Sequence, residues 1–142
     1  MDRVPPFWSW LLQRAEAGVI KMPREIYGEV AGATGGLATW MGRPDVRRAL
    51  TLDEVTDSVH VRQVIAQGYA ADLDDVELRE VGQDPFLIAA ALGGVDRVVV
   101  TREVSKRSRT RQNRHIPDVC ADFNVRCIND FELWRVLDFR VG

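Results

Sequence analysis

The chain has 142 residues, the length of one ordinary domain, and its 46% hydrophobic content is enough to bury a core. A formal net charge of -2, from 19 basic and 21 acidic residues, excludes a chain that binds nucleic acid through overall charge alone. Two cysteines and two histidines are too few for a four-cysteine zinc site or a disulfide framework.

The N-terminus and the apolar segments indicate the cellular location of the protein. Residues 1–8 have no cationic region before an apolar run, so we expect no signal peptide. The longest near-apolar stretch, residues 85–94, is too short to span a bilayer. These features, with two cysteines expected to be free thiols, predict a cytoplasmic protein with no membrane partner.

The first elements alternate between helix and strand. Two prolines precede an apolar run that predicts a helix ending at Gly18. Residues 19–22 then predict a short strand stopped by Pro23, and residues 24–30 look helical.

The next segment has weaker signals. A short helix fits residues 37–41, and residues 43–45 break it. Thr51 and Glu54 have the form of a capping box, which predicts a helix from that point. Acidic residues 72–75 predict a turn and another helix start.

The second half has clearer patterns. An apolar helix is expected over residues 86–92, opened by Asp84 and a proline. Residues 98–100 are three valines, typical of a central parallel strand buried on both faces. After a polar loop we expect a helix over 117–123, a strand over 125–128 and a helix over 131–137.

This alternation predicts an α/β fold with a parallel sheet covered by helices. Ligands bind such sheets beyond the carboxyl ends of the strands. Three acids, Glu29, Asp84 and Glu103, follow predicted strands or open a helix where this rule points. Converging carboxylates repel one another unless a cation lies between them, and oxygen ligands suit Mg²⁺ or Mn²⁺. The pattern therefore predicts metal-assisted phosphodiester hydrolysis.

Each acid also has a simpler interpretation. Asp84 alone is typical of a helix cap, Glu29 of a solvated helix face, and Glu103 of a loop charge.

The loop after the valine strand is strongly basic, with Glu103 its one acid. Beside an acidic metal site, five of its side chains are predicted to hold an RNA backbone: Lys106, Arg107, Arg109, Arg111 and Arg114. The alternative is a solvated loop that binds nothing.

Three stretches resemble the DUF4411 group of PIN-like domains. They are PFWSWLLQRAEAGVIKMPREIYGEV, then DPFLIAAALG followed by VVVTRE, and finally IPDVCADFNVRCINDFELWRVL. The resemblance covers nearly the whole chain and is weak over residues 31–80. It implies a three-layer α/β/α PIN-like fold with a central parallel sheet. It also implies a Mg²⁺- or Mn²⁺-dependent endoribonuclease of the kind found as the toxin of toxin–antitoxin pairs.

The resemblance assigns the acids one by one. The second family acid falls on Glu29, with Glu25 as a neighbouring alternative; the next falls on Asp84. The pattern of Thr, any residue and an acid after the central strand falls on Thr101 and Glu103. RNA is the implied substrate and an antitoxin protein the implied partner, and a homodimer is also considered.

One departure from the family concerns its first strand, which ends in an Asp that is the first metal ligand. The chain starts after that point, and Asp2 is not counted as the missing ligand. A missing central strand would leave unpaired sheet edges. We expect a start codon misplaced downstream of the true one. The alternative is an incomplete domain that binds RNA or an antitoxin without cleavage.

Overall fold

The computed structural model describes residues 6–32 and 35–137, which divide into two compact units. The first takes in the described residues up to Glu54, and the second runs from Val55 to Leu137. The described elements are helices and a small parallel sheet, consistent with an α/β protein. Across these ranges, no helix has both the length and the apolar character to cross a membrane.

The first unit is helical. Its buried core includes Tyr27, Trp40 and Leu50, and the ring of Trp8 stacks on Trp40 with centroids 5.5 Å apart. The helices predicted in this region are confirmed. The elements are α1 (Pro6–Glu16), α2 (Arg24–Ala31), α3 (Gly36–Met41) and α4 (Pro44–Leu50).

The strand predicted over residues 19–22 is wrong. Gly18 has a φ of 79°, and the Val19 N–H donates to the Arg14 carbonyl at 3.0 Å, so α1 ends in a Schellman motif. The turn therefore includes Val19, the first residue of the predicted strand. Met22 forms an isolated parallel bridge with Thr51.

The region around Thr51 also differs from the prediction. Residues 43–45 follow the end of α3 as expected, but Pro44 also begins α4, at a position that proline favours. The capping box at Thr51 is wrong because Thr51 pairs in the bridge with Met22. The next helix begins instead at Ser58, where the Asp57 side chain accepts the Val59 N–H at 2.8 Å.

The second unit contains the helices and strands predicted for the second half, which are confirmed. Helix α6 begins at a capping box formed by Asp74 and Glu77. The elements are α5 (Ser58–Gln63), a π-helical turn (Val64–Tyr69), α6 (Asp75–Val81), α7 (Asp84–Leu92), β1 (Val98–Val100), α8 (Ile116–Asp122), β2 (Arg126–Ile128) and α9 (Asp130–Val136).

Strands β1 and β2 pair in parallel with Val99 opposite Cys127, as the alternation predicts. The expectation that β1 is buried on both faces is wrong, since Val99 is 2% exposed but Val98 and Val100 are each 37% exposed. Val99 packs into the core with residues of α7 and α8. In the described chain β1 therefore buries one face fully and the other only in part.

The core of the second unit is built around α7, which contacts α5, β1, α8 and the π-helical turn. Ile88 and Ala89 of α7 are fully buried. The π-helical turn lies close to α8 at Gly68. A Cβ atom at this position would lie 2.6 Å from Val119 Cγ1 and 3.0 Å from Phe123 Cε2.

We expect Gly68→Ala to lower the free energy of unfolding by about 1–3 kcal/mol, because the added methyl group overpacks this contact. The matched control is Gly28→Ala in α2, where a Cβ meets nothing within 4 Å. That change should raise stability by up to about 1 kcal/mol, since alanine favours the helix. Urea denaturation followed by circular dichroism measures both. Equal stability of the two variants would contradict the close contact at Gly68.

Candidate functional site

The carboxyl ends of β1 and β2 open onto a groove of about 620 Å³. Parallel sheets bind ligands at this edge, and Glu103 lies where the strand-end rule places it. Residues from both strand exits line the groove, among them Thr101, Glu103, Ser105, Asn129, Asp130 and Phe131.

Glu103 is held in one orientation by its neighbours. Its Oε1 accepts the backbone N–H of Ile116 at 2.8 Å, at the start of α8, and its own N–H donates to Thr101 Oγ1 at 3.1 Å. The Oε2 atom has no hydrogen-bond partner among the described residues. Glu103 is therefore more than a solvated loop charge, and one of its oxygens remains for a ligand.

The His115 ring lies beside the same carboxylate. Its Nδ1 is 2.7 Å from the Val104 carbonyl oxygen and 3.7 Å from Glu103 Oε1. Because a carbonyl only accepts hydrogen bonds, Nδ1 carries the proton. The Nδ1–H group therefore bonds the Val104 carbonyl and also lies near the Glu103 carboxylate.

Asp84 is the first residue of α7, and Gln83 is the N-cap. The interpretation of Asp84 as the helix cap is therefore wrong. Asp84 is half-buried and is not among the residues that line the groove. Its helix packs against the π-helical turn that ends at Tyr69.

Tyr69, at the end of the π-helical turn, is 8% exposed. Burial raises the pKa of the Tyr69 phenol, and the charges of Asp84 and then Glu103 raise it further. Nothing in the sequence periodicity singles out Tyr69, because its position depends on the packing of the π-helical turn.

The third predicted acid, Glu29, belongs to α2 in the first unit, and its side chain is outside the described part of the structure. Glu25, the alternative, lies in the first turn of the same helix. Asp2 is outside the described residues. Among the side chains that are described, no group of three or more His, Cys, Asp or Glu is arranged to hold a metal ion.

A buried carboxylate fixes the start of the basic loop. Asp118 in α8 is 7% exposed, accepts a hydrogen bond from the Ser105 hydroxyl, and accepts the Lys106 N–H at 2.8 Å. Burial acts to raise the pKa of Asp118, but these hydrogen bonds and the charge of Arg114 outweigh it and hold the pKa below its usual value. The sequence signal for this residue was an ionisable side chain inside the apolar stretch IPDVC.

The far end of the loop is anchored by Arg111. Its Nε donates to Glu77 Oε2 at 2.8 Å, and its Nη1 donates to Asp72 Oδ1 at 2.9 Å. Hydrogen bonds from Arg111 lower the pKa of Glu77 to about 2. Arg111 therefore joins the loop to the segment around α6.

Arg114 makes a second anchor. Its Nη1 donates to Asp122 at 2.6 Å and to the Gly68 carbonyl at 2.5 Å. In contrast, Lys106, Arg107 and Arg109 are exposed and form no ion pair with any residue that the structure describes. The loop is thus held at both ends and presents three cations to solvent between them.

A family model described as a domain of unknown function, DUF4411, matches residues 1–141. The chain belongs to the DUF4411 family. The match takes in both units, so Glu29, Asp84, Glu103 and the basic loop all fall within the DUF4411 domain. No curated protein and no solved structure matches this DUF4411 chain.

Asp118→Asn should lower the free energy of unfolding at pH 7 by about 1–3 kcal/mol, because an amide cannot accept both hydrogen bonds as the carboxylate does. The control is Asp122→Asn, whose side chain is 49% exposed in its pair with Arg114. The control should cost at most about 1 kcal/mol. Urea unfolding measures both variants.

The wild type and Asp118→Asn also give a test of pH dependence. A folded-state pKa below the ordinary 3.8 means that the Asp118 carboxylate stabilises the fold above that pH. This contribution is lost as pH falls below 3.8 through the folded-state pKa. The difference in the free energy of unfolding between the wild type and Asp118→Asn should therefore become smaller in that range. A gap of the same size at pH 7 and at about pH 2.5 would rule out the ionised carboxylate as its source.

Proposed function

We propose that this DUF4411 chain is a metal-dependent endoribonuclease with a three-layer PIN-like fold, in which Glu29, Asp84 and Glu103 hold Mg²⁺ or Mn²⁺. The observation that supports the proposal is the Glu103 carboxylate just after the carboxyl end of β1, which accepts the Ile116 N–H at 2.8 Å. A bound cation would supply a nucleophilic water and stabilise negative charge on the scissile phosphate.

The described residues fit a hard divalent cation. Both acids offer oxygen ligands, which Mg²⁺ and Mn²⁺ prefer. The contact between Glu103 Oε1 and the Ile116 N–H fixes the carboxylate and leaves Oε2 for a cation.

The basic loop gives the proposal its RNA-binding element. It leaves the sheet at Glu103, so the cations that follow lie a few residues from a proposed metal ligand. Lys106, Arg107 and Arg109 are the side chains assigned to phosphate contacts. The anchoring by Arg111 and Arg114 keeps these cations in place, whether or not the two arginines also reach RNA.

The cellular role rests on the PIN-like resemblance. On that basis we propose a toxin that is controlled by an antitoxin protein and that can act as a homodimer. Binding of RNA without cleavage is the competing outcome, and the experiments below separate the two.

Asp84→Asn and Glu103→Gln should each reduce Mn²⁺-dependent cleavage of single-stranded RNA by at least about 100-fold. Loss of a metal ligand removes several kcal/mol of transition-state stabilisation, and each 1.36 kcal/mol is about tenfold in rate. The matched control is Asp96→Asn before β1, where a positive φ of 57° suits asparagine. It should cleave at the wild-type rate.

Fluorescent RNA oligonucleotides resolved on a gel give the rates, with EDTA added to remove the metal. Cleavage that persists in EDTA or in Asp84→Asn would contradict the assignment. RNA binding by the wild type with no cleavage would support the competing outcome instead.

Replacing Lys106, Arg107 and Arg109 together with alanine should weaken RNA binding and flatten its salt dependence. The slope of log K against log salt should fall by about 2, since each phosphate contact on a single strand contributes about 0.7. The control removes three cations elsewhere, at Arg24, Arg48 and Arg62. Fluorescence anisotropy across a salt series measures both. An equal loss of RNA affinity in both variants would show that net charge, rather than this loop, attracts RNA.

A further inference from the structure

An exposed aromatic side chain lies in the groove at the carboxyl ends of the strands. Phe131, the second residue of α9, is 64% exposed and lines this groove. Among the aromatic side chains whose exposure the structure describes, it is the only one on the surface. A single exposed apolar residue on a flat surface needs no explanation, but a ring inside a groove can contact a ligand.

The walls of the groove around Phe131 are mostly apolar. Val104 and Pro117 line it beside the exit of β1 and the start of α8, and Cys127 and Ile128 line it from β2. Its volume of about 620 Å³ lies within the range of sites that hold small organic ligands. The groove therefore suits a flat aromatic group that lies against the Phe131 ring.

The charged side chains of the groove indicate that this group is neutral. Three carboxylates line it, and each accepts a hydrogen bond from the protein: Glu103 from the Ile116 N–H, Asp130 from Arg102 Nε at 2.8 Å, and Glu132 from the Asn129 N–H at 3.2 Å. A phosphate in the groove would be repelled by these carboxylates. A nucleobase carries no charge, and its N–H groups can donate to carboxylate oxygens.

The basic loop continues directly from the wall of the groove. Val104 and Ser105 line the groove, and the backbone N–H of Lys106, the next residue, is fixed by Asp118. The exposed cations of the loop follow within three residues. A mostly apolar groove with an exposed ring thus adjoins a cationic loop, which is the combination that binds bases and phosphates of a single strand.

We propose that the groove is a base-binding subsite, in which an unpaired base of single-stranded RNA stacks on Phe131 while the adjoining phosphates contact the basic loop. This inference rests on the proposed function, because it takes RNA as the ligand of the loop. Bases inside a duplex are already stacked and paired, so the subsite selects unpaired RNA.

Phe131→Ala tests the subsite because it removes the ring and no charge. We expect affinity for a fluorescein-labelled oligoadenylate to fall by about 5- to 100-fold, the usual effect of losing one stacked base. The slope of log K against log salt should stay at its wild-type value, since no phosphate contact is lost. Fluorescence anisotropy in EDTA, which prevents metal-dependent cleavage, measures both quantities.

Two variants and a second RNA serve as controls. Phe131→Trp keeps an aromatic face and should bind the oligoadenylate at least as tightly as the wild type. Val136→Ala removes an exposed apolar side chain of the same helix that is not among the groove residues, and it should leave the affinity unchanged. Annealing the oligoadenylate to oligouridylate pairs its bases, so Phe131→Ala should bind this duplex as the wild type does.

The outcomes separate the subsite from the proposed function. Equal affinity of the wild type and Phe131→Ala for the oligoadenylate would overturn the subsite and leave the proposed function standing. An equal loss of affinity for the single strand and the duplex would show that the ring does not contact an unpaired base, which also overturns the subsite. No binding of either RNA by the wild type would overturn both.

Discussion

The buried carboxylate of Asp118 holds the segment on which the proposed site depends. It receives the Ser105 hydroxyl and the Lys106 N–H, both from the chain that leaves β1. Because α8 also binds the Glu103 carboxylate through the Ile116 N–H, one helix fixes both the acid and the start of the basic loop. A change in α8 would therefore disturb both together.

The sequence predicts those parts of the fold that depend on local signals. The valines of β1 and the apolar run of α7, bounded by a proline and two glycines, form as expected. The strand predicted over residues 19–22 does not form, because N–H groups at the start of this segment donate hydrogen bonds within the turn after α1. Asp84 and Glu103 could be selected from their places in the sequence. The burial of Tyr69 at the end of the π-helical turn could not, because it arises from packing between helices, which no spacing along the chain reveals.

The most direct test of the acid site is a crystal of the protein soaked in Mn²⁺ and measured at a wavelength where manganese scatters anomalously. The account predicts an anomalous peak about 2 Å from a carboxylate oxygen of Asp84 and of Glu103. A peak at Asp130 in the groove instead, or no peak near these acids, would contradict the account.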